Sequence, residues 1–146
     1  SCCDMLNAIF LEPGGWGDAP GELSDIHIGN CSFDSLLSPF CATLKDGHHC
    51  KEITIRNCHS ASCRMALSVK SWESATTDNV RIIDSSFSFD GNPEAGLADR
   101  IYALPFNQWP DFPSYGAFFR NVGAVELEGT KFFTTSPDAR EAVAGL

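Results

Sequence analysis

The chain has 146 residues, which is enough for one domain with a sizeable core, and we take residues 1–146 as a single domain. Its net charge of −9 excludes nucleic acid as a partner, because nucleic acid is bound by basic surfaces. It holds no apolar run of about 18 residues, so we expect no membrane-spanning helix and no membrane partner.

One short phrase recurs along the chain after a loop rich in glycine and proline at 12–21. Its four copies are Asp25–Cys31, Glu52–Cys58, Asn79–Ser85 and Ala124–Thr130. Each copy alternates apolar and polar residues, which predicts a strand with one buried face. The copies are spaced by 27, 27 and 45 residues, and equal spacing broken by one insertion indicates a repeat array.

A second strand is predicted between the copies, where Ala8–Glu12, Ala42–Lys45 and Ala66–Lys70 can be superposed. Coils of about 25 residues that hold two or three short strands, and bury their inner faces only against neighbouring coils, are typical of a parallel β-helix. We therefore predict an all-β fold, a right-handed parallel β-helix of about four to five coils, because crossovers between parallel strands are right-handed. An immunoglobulin-like sandwich is the alternative, and it predicts no in-register rows.

The β-helix predicts rows of side chains that stack from coil to coil. The two inward rows are Ile26, Ile53, Val80 and Val125, and Ile28, Ile55, Ile82 and Leu127. The polar turn row is Asn30, Asn57 and Asp84. The row of small side chains is Cys31, Cys58, Ser85 and Thr130. On the outer face Arg81 and Glu126 share a row, so we predict an ion pair between them. Arg120 and Arg140 are expected to bond loop carbonyls or Asp138.

An insertion rich in proline, glycine and aromatic residues precedes the last coil, at about 91–116. Insertions in solenoids map to one face, often the binding face. Trp109 and Tyr115 could line a saccharide groove there, or could fold the insertion back onto the solenoid. No capping helix is predicted at either end, so we expect a portion of a longer protein whose open ends associate with a second copy or a partner chain.

The seven cysteines are an odd number, so not all of them can pair within the chain. Cys31 and Cys58 fall in an inward row and are predicted to be buried free thiols. Cys41 with Cys50 is one disulfide candidate, and Cys2 with Cys3 or with another partner is a second. No set of cysteines and histidines has the spacing of a zinc site, so we expect no metal and no other cofactor.

Four phrases resemble those of pectin-active β-helix proteins: residues 53–58, 66–73, 113–122 and 136–140. Over residues 23–146 the chain is similar to the polygalacturonase-like glycoside hydrolases of family 28, as a C-terminal portion of such a protein. The resemblance implies an extracellular or periplasmic protein that hydrolyses galacturonan, or a related pectic polymer, with inversion.

The resemblance also implies paired catalytic aspartates, because two separated carboxylates leave room for a water beside the sugar. It implies a histidine in a Gly-His-Gly turn and an Arg-Ile-Lys strand that grips the uronate carboxylate. In place of the aspartate pair the chain has Pro39–Lys45, which contains no aspartate. Its segment most similar to the Gly-His-Gly turn is Asp46–His49. Of the Arg-Ile-Lys strand, Ser68–Lys70 keeps only the lysine. The resemblance therefore supports the fold more strongly than it supports the activity.

Residues that still offer acid–base chemistry gather just beyond the predicted second strands, whose superposition puts Glu12, Lys45 and Lys70 in one outward row. We predict that Asp46, His48 and Glu73, at the turn beyond this row, are catalytic. The residues predicted to bind substrate are Glu12, Lys45, Arg64, Lys70, Trp72, Trp109 and Tyr115. The plainer interpretation is a solvated ion pair beside an exposed loop.

We predict a polysaccharide-active β-helix protein that resembles pectin hydrolases and acts on an acidic polysaccharide or oligosaccharide. A non-catalytic carbohydrate-binding or scaffold β-helix is the first alternative, and the absent aspartate pair favours it for this chain alone. A polysaccharide lyase is the second alternative, with Lys45, Lys70 or His48 as the base that takes the α-proton.

Overall fold

The computed structural model describes residues 7–11, 22–34, 38–72, 74–91 and 113–146. This part of the chain contains thirteen strands and no helix. The strands are β1 (Asn7–Leu11), β2 (Glu22–Gly29), β3 (Ser32–Asp34), β4 (Ser38–Leu44), β5 (His49–Arg56), β6 (His59–Cys63), β7 (Leu67–Ser71), β8 (Thr76–Ile83), β9 (Ser86–Phe89), β10 (Ser114–Arg120), β11 (Val122–Glu128), β12 (Lys131–Thr134) and β13 (Glu141–Ala144). The predicted all-β class is confirmed.

The strands form three parallel sheets that the chain visits in turn. Sheet A has the order β1-β4-β7-β10-β13, sheet B the order β2-β5-β8-β11 and sheet C the order β3-β6-β9-β12. Each strand therefore pairs with the strand three places away in the chain, and we call one passage through the three sheets a coil. The parallel pairing does not fit the alternative immunoglobulin-like sandwich, whose sheets are antiparallel.

The register of sheet B stacks the repeated phrases directly on one another. Ile26, Ile53, Val80 and Val125 are consecutive partners, and so are Ile28, Ile55, Ile82 and Leu127. Both predicted inward rows are confirmed. They join one hydrophobic core that takes side chains from all three sheets, including Val69 from sheet A and Phe87 from sheet C.

The corner between sheets B and C is formed by residues in the left-handed conformation. Asn30, Asn57 and Asp84 have φ angles of 57°, 52° and 49°, a region that asparagine and aspartate enter more readily than other side chains, and Gly129 follows at 60°. The Asn57 amide Nδ2 donates a hydrogen bond of 2.7 Å to Asn30 Oδ1 of the preceding coil. The predicted polar turn row is therefore confirmed.

All five cysteines in the described part of the chain are free thiols. Cys58 is fully buried as predicted, whereas Cys31, predicted to be buried as well, is only partly buried. The predicted Cys41–Cys50 disulfide is wrong, because Cys50 belongs to the central core whereas Cys41 lies on the opposite face of sheet A and contacts Thr43. The Cys2–Cys3 pair lies outside the described residues.

We expect the buried Cys50 thiol to make the fold sensitive to alkali. Burial raises its pKa from 9.0 to about 11. Between these values the thiol loses its proton in the unfolded chain but keeps it in the folded one. The contribution of the neutral Cys50 thiol to stability is therefore fully present below pH 9 and is lost as the pH rises through 11. Urea unfolding at about pH 8 and pH 11 should show that Cys50→Ala loses about 1–2 kcal/mol less than the wild type over this interval. Val69→Ala, which removes core volume but keeps the thiol, should retain the full alkaline loss, and an unchanged loss in Cys50→Ala would contradict the assignment.

Candidate functional site

Three stacked turns join sheet A to sheet B at one edge of the molecule. They consist of residues 45–48, Trp72 with 74–75, and Asn121, and we call this edge the A–B corner. Backbone bonds tie each turn to the next, from Trp72 N to Leu44 O at 2.8 Å and from Thr77 N to Asn121 O at 3.2 Å. The corner repeats from coil to coil because the strands on both sides of it are in register.

The A–B corner brings together several of the predicted site residues. Lys45, Asp46, His48 and Trp72 all lie there, as the superposed strands indicated. Arg64 is elsewhere, exposed in the turn that joins sheet C to sheet A. The predicted residues that lie outside the described part of the chain are Glu12, Glu73 and Trp109.

The predicted row of Lys45 and Lys70 is wrong. In the register of sheet A, Lys70 is the partner of Thr43 on one side and of Arg120 on the other, whereas Lys45 lies beyond the end of β4. The superposition was two residues out of register. Because side chains alternate with a period of two, such a shift keeps the same face of the strand and leaves the sequence pattern intact.

Lys70 is not displayed to solvent, since the residue is only 1% exposed. It alternates with the core residue Val69 and so lies on the outer face of sheet A, with Cys41, Thr43 and Ser68, all of them buried. Ser68 Oγ donates to Cys41 Sγ at 3.5 Å. Burial lowers the pKa of the Lys70 ammonium. The outer face of sheet A is thus covered here.

Tyr115 belongs to the core rather than to a surface groove. β10 begins at Ser114, so residues 114–116 of the predicted insertion form part of sheet A. Tyr115 packs against the core, with its ring edge-on to Phe89 at 6.4 Å between centroids. This is the second of the two interpretations that the sequence left open, in which the aromatic residue folds onto the solenoid.

Asp46 anchors one turn of the A–B corner to the next. Its Oδ1 accepts hydrogen bonds from Ser74 Oγ and, at 3.0 Å, from Ser74 N. Ser74 Oγ in turn accepts a bond of 3.2 Å from Gly47 N. The hydroxyl bond from Ser74 is the main cause of the lowered pKa of Asp46. The carboxylate is therefore held ionised, as a hydrogen-bond acceptor.

The two neighbouring histidines of this turn have opposite environments. His48 is buried, and its backbone N–H closes the turn on Lys45 O at 3.1 Å. His49 is half-exposed, with Nε2 at 3.0 Å from Asp78 Oδ1 and Nδ1 at 3.8 Å from Glu22 Oε1. Of the two, His49 is therefore the one that can meet a ligand at the surface, whereas His48 was the predicted catalytic residue.

An open groove of about 470 Å³ runs along the A–B corner, a volume typical of sites for small ligands. Its lining residues are Ser74, Ala75, Thr76, Asp78, Asn121, Val122 and Gly123. Two hydroxyls, a carboxylate and an amide give it hydrogen-bonding groups of both kinds. Sequence reasoning missed these residues, although a polar run directly after Trp72 was the available signal.

Arg120 lies beside this groove, immediately before Asn121. Its guanidinium carbon is 3.9 Å from the centroid of the Trp72 ring, and Nη1 donates to Ser71 O at 3.3 Å. The predicted carbonyl contact is confirmed. The ion pairs formed among the described residues do not include Arg120. Trp72 is 8% exposed, and its Nε1 has no hydrogen-bond partner in the described part of the chain.

Within the described residues, no three or more histidine, cysteine or acidic side chains are grouped to hold a metal ion. The same residues contain no helix that is long and apolar enough to cross a membrane. Comparisons with protein-family models, with curated proteins and with solved structures find no match.

Proposed function

We propose that this chain is a polysaccharide-active, right-handed parallel β-helix that binds an acidic polysaccharide along the A–B corner. The chain visits the three parallel sheets in the same order in every coil, which supports the β-helix. Crossovers between parallel strands are generally right-handed, which supports a right-handed β-helix. The ligand class is a polyuronide such as galacturonan, in line with the resemblance to polygalacturonase-like proteins. An extracellular or periplasmic location goes with such a ligand.

The observation that carries this proposal is the position of Arg120. Its guanidinium carbon lies 3.9 Å from the centroid of the Trp72 ring, its Nη1 donates to Ser71 O, and the next residue, Asn121, lines a groove that offers hydroxyl and amide groups. No carboxylate of the described residues pairs with it. In a chain of net charge −9, such a cation favours an anionic ligand, and a guanidinium fork matches the two oxygens of a uronate carboxylate.

The rest of the groove suits the hydroxyl groups of a sugar. Ser74, Thr76 and Asn121 can each donate and accept hydrogen bonds. Adjacent strands are about 4.8 Å apart, so a linear polymer laid across the coils meets the turns at short, regular intervals. Asp78 of β8 lines the groove and Asp46 lies in a turn of the A–B corner. Glycoside hydrolysis uses two carboxylates, so cleavage of the bound polymer is the associated activity.

Isothermal titration calorimetry with polygalacturonate and its fully methyl-esterified form tests the proposal. We expect the wild type to prefer the free acid, and Arg120→Gln to lower the affinity roughly tenfold through loss of one charged contact. Arg56→Gln is the matched control, because Arg56 is an exposed arginine at the far end of β5 and the variant has the same charge. Its affinity should equal that of the wild type.

Equal weakening by Arg56→Gln, or equal binding of the methyl ester, would contradict a defined uronate site. The released reducing ends and unsaturated products are measured on the same samples. Reducing ends without unsaturated products indicate a hydrolase, and unsaturated products indicate a lyase. Binding without release of either identifies a non-catalytic polysaccharide-binding β-helix.

A further inference from the structure

A chain of hydrogen bonds crosses the outer face of sheet C, away from the A–B corner. It joins Asn57, at the corner between sheets B and C, to His59 on β6 and to Ser86 on β9. His59 Nε2 is 3.0 Å from Asn57 Oδ1, and His59 Nδ1 is 2.7 Å from Ser86 Oγ. His59 is exposed and Ser86 is partly exposed.

The direction of each hydrogen bond follows from the amide of Asn57. Its Nδ2 donates to Asn30 Oδ1 at 2.7 Å, which leaves Oδ1 as the atom that faces His59. An oxygen can only accept, so His59 Nε2 carries the proton and Nδ1 has the lone pair. Ser86 Oγ then donates its proton to Nδ1. The order is that of a nucleophile, a general base and a group that orients the base.

The parallel register creates this arrangement and adds a cation to it. His59 and Ser86 are partners on adjacent strands, and Lys131 is the partner of Ser86 on the next strand. Side chains at partnered positions point to the same face, so the side chain of Lys131 extends from a position beside Ser86. A positive charge there can stabilise the oxyanion that forms when a serine attacks a carbonyl group.

We propose that Asn57, His59 and Ser86 form an esterase site that hydrolyses small acyl esters, such as O-acetyl esters of alcohols or sugars. The site lies on an open sheet face, which admits a small ester without a deep pocket. Phe133, half-exposed on β12 next to Lys131, offers an apolar surface for the acyl or alcohol group. This activity is independent of the proposed polyuronide binding.

In the first step, Ser86 Oγ attacks the acyl carbon while its proton passes to His59 Nδ1. The bond from the acyl carbon to the alcohol oxygen then breaks, and the alcohol leaves with the proton from Nδ1. In the second step, water attacks the acyl-serine and gives a proton to Nδ1. The bond to Ser86 Oγ breaks, Oγ recovers the proton, and the carboxylic acid is released.

The first test measures hydrolysis of p-nitrophenyl acetate by the whole chain, with the labelled residue located by mass spectrometry after reaction with a fluorophosphonate. We expect turnover and a label on Ser86. Ser86→Ala and His59→Gln should each lower the rate roughly 100-fold or more. Ser88→Ala is the matched control, because Ser88 lies on the same strand and the same face but is partnered by Phe133. It should keep the wild-type rate.

Asn57 is a positioning residue, since it acts only through His59. Asn57→Asp keeps an oxygen for Nε2 and tolerates the left-handed conformation, so it should keep the rate within roughly tenfold of the wild type. Asn57→Ala has no such oxygen and should lose most of the activity. If Asn57 had a purely structural role, the esterase rate of each variant would fall in proportion to its loss of stability. Urea unfolding of both variants measures that loss.

The proposal is overturned if Ser86→Ala hydrolyses the ester as fast as the wild type, or if the label falls on another residue. Stable labelling of Ser86 without turnover also overturns it, because hydrolysis requires release of the acyl group. Near-ultraviolet circular dichroism identifies any variant that fails to fold, and His59→Gln then supplies the comparison.

Discussion

Replacing Phe87 by alanine is expected to lower the free energy of unfolding by about 3–5 kcal/mol. Phe87 is 1% exposed and lies at the centre of sheet C, where its ring stacks on Phe132 of the next coil at 5.8 Å between centroids. The backbone ladders on both sides hold the neighbouring strands in place. The cavity therefore cannot close by a local collapse. Urea unfolding followed by far-ultraviolet circular dichroism measures the loss.

Phe133→Ala is the matched control for this experiment. Phe133 follows Phe132 on the same strand but points outwards and is 49% exposed. Removal of its ring should change the free energy of unfolding by no more than about 0.5 kcal/mol. Similar losses in the two variants would mean that the alternation of inward and outward side chains on sheet C is not as described.

The Asp138→Asn variant is expected to lose about 3–5 kcal/mol of stability, because it removes the negative charge from a buried ion pair. The side chains of Asp138 and Arg140 are only 1% and 10% exposed. Asp138 Oδ1 accepts bonds of 2.9 Å from Arg140 N and Nε, and Oδ2 accepts one of 2.7 Å from Nη2. An asparagine has nearly the same shape but presents an N–H₂ group to one of these donors.

The ion pair between Arg81 and Glu126 provides the control, with Arg81 Nε at 2.8 Å from Glu126 Oε2 on the exposed face of sheet B. Glu126→Gln should cause a much smaller loss, and high salt should remove it, because solvent-exposed pairs are screened. Salt should leave the effect of Asp138→Asn largely unchanged. A loss in Asp138→Asn that disappears in high salt would contradict the buried ion pair between Asp138 and Arg140.

The repeated phrases carried enough information to predict sheet B and its register. The next-to-last residue of each copy, such as Asn57, is suited to the left-handed conformation, and this corner residue marks the same position in every coil. Alternation before the corner then decides which side chains face inwards. The rows that contain Ile53 and Val80, and the Arg81–Glu126 pair, followed directly.

Sheet A offered no such marker, and its register was predicted two residues out. Alternation alone cannot distinguish Lys45 from Thr43 as the partner of Lys70, since both lie on the same face of the strand. The burial of Lys70 was also unpredictable, because polar residues that alternate with apolar ones normally indicate an exposed face. Its burial is a property of the folded protein that the pattern along one strand does not encode.

The sequence by itself determined the strands of sheet B, their parallel stacking and the alternation that forms the core, because these depend on local pattern and on equal spacing. Only the tertiary structure decided which polar side chains meet. Arg120 reaches Trp72, and Ser86 reaches His59, across neighbouring coils that are 27 or more residues apart in sequence. Such contacts depend on the register of the strands and on the turns between the sheets. The register and the turns together set the hydrogen-bonding distances. Neither the register nor the turn geometry can be obtained from one residue type or one motif.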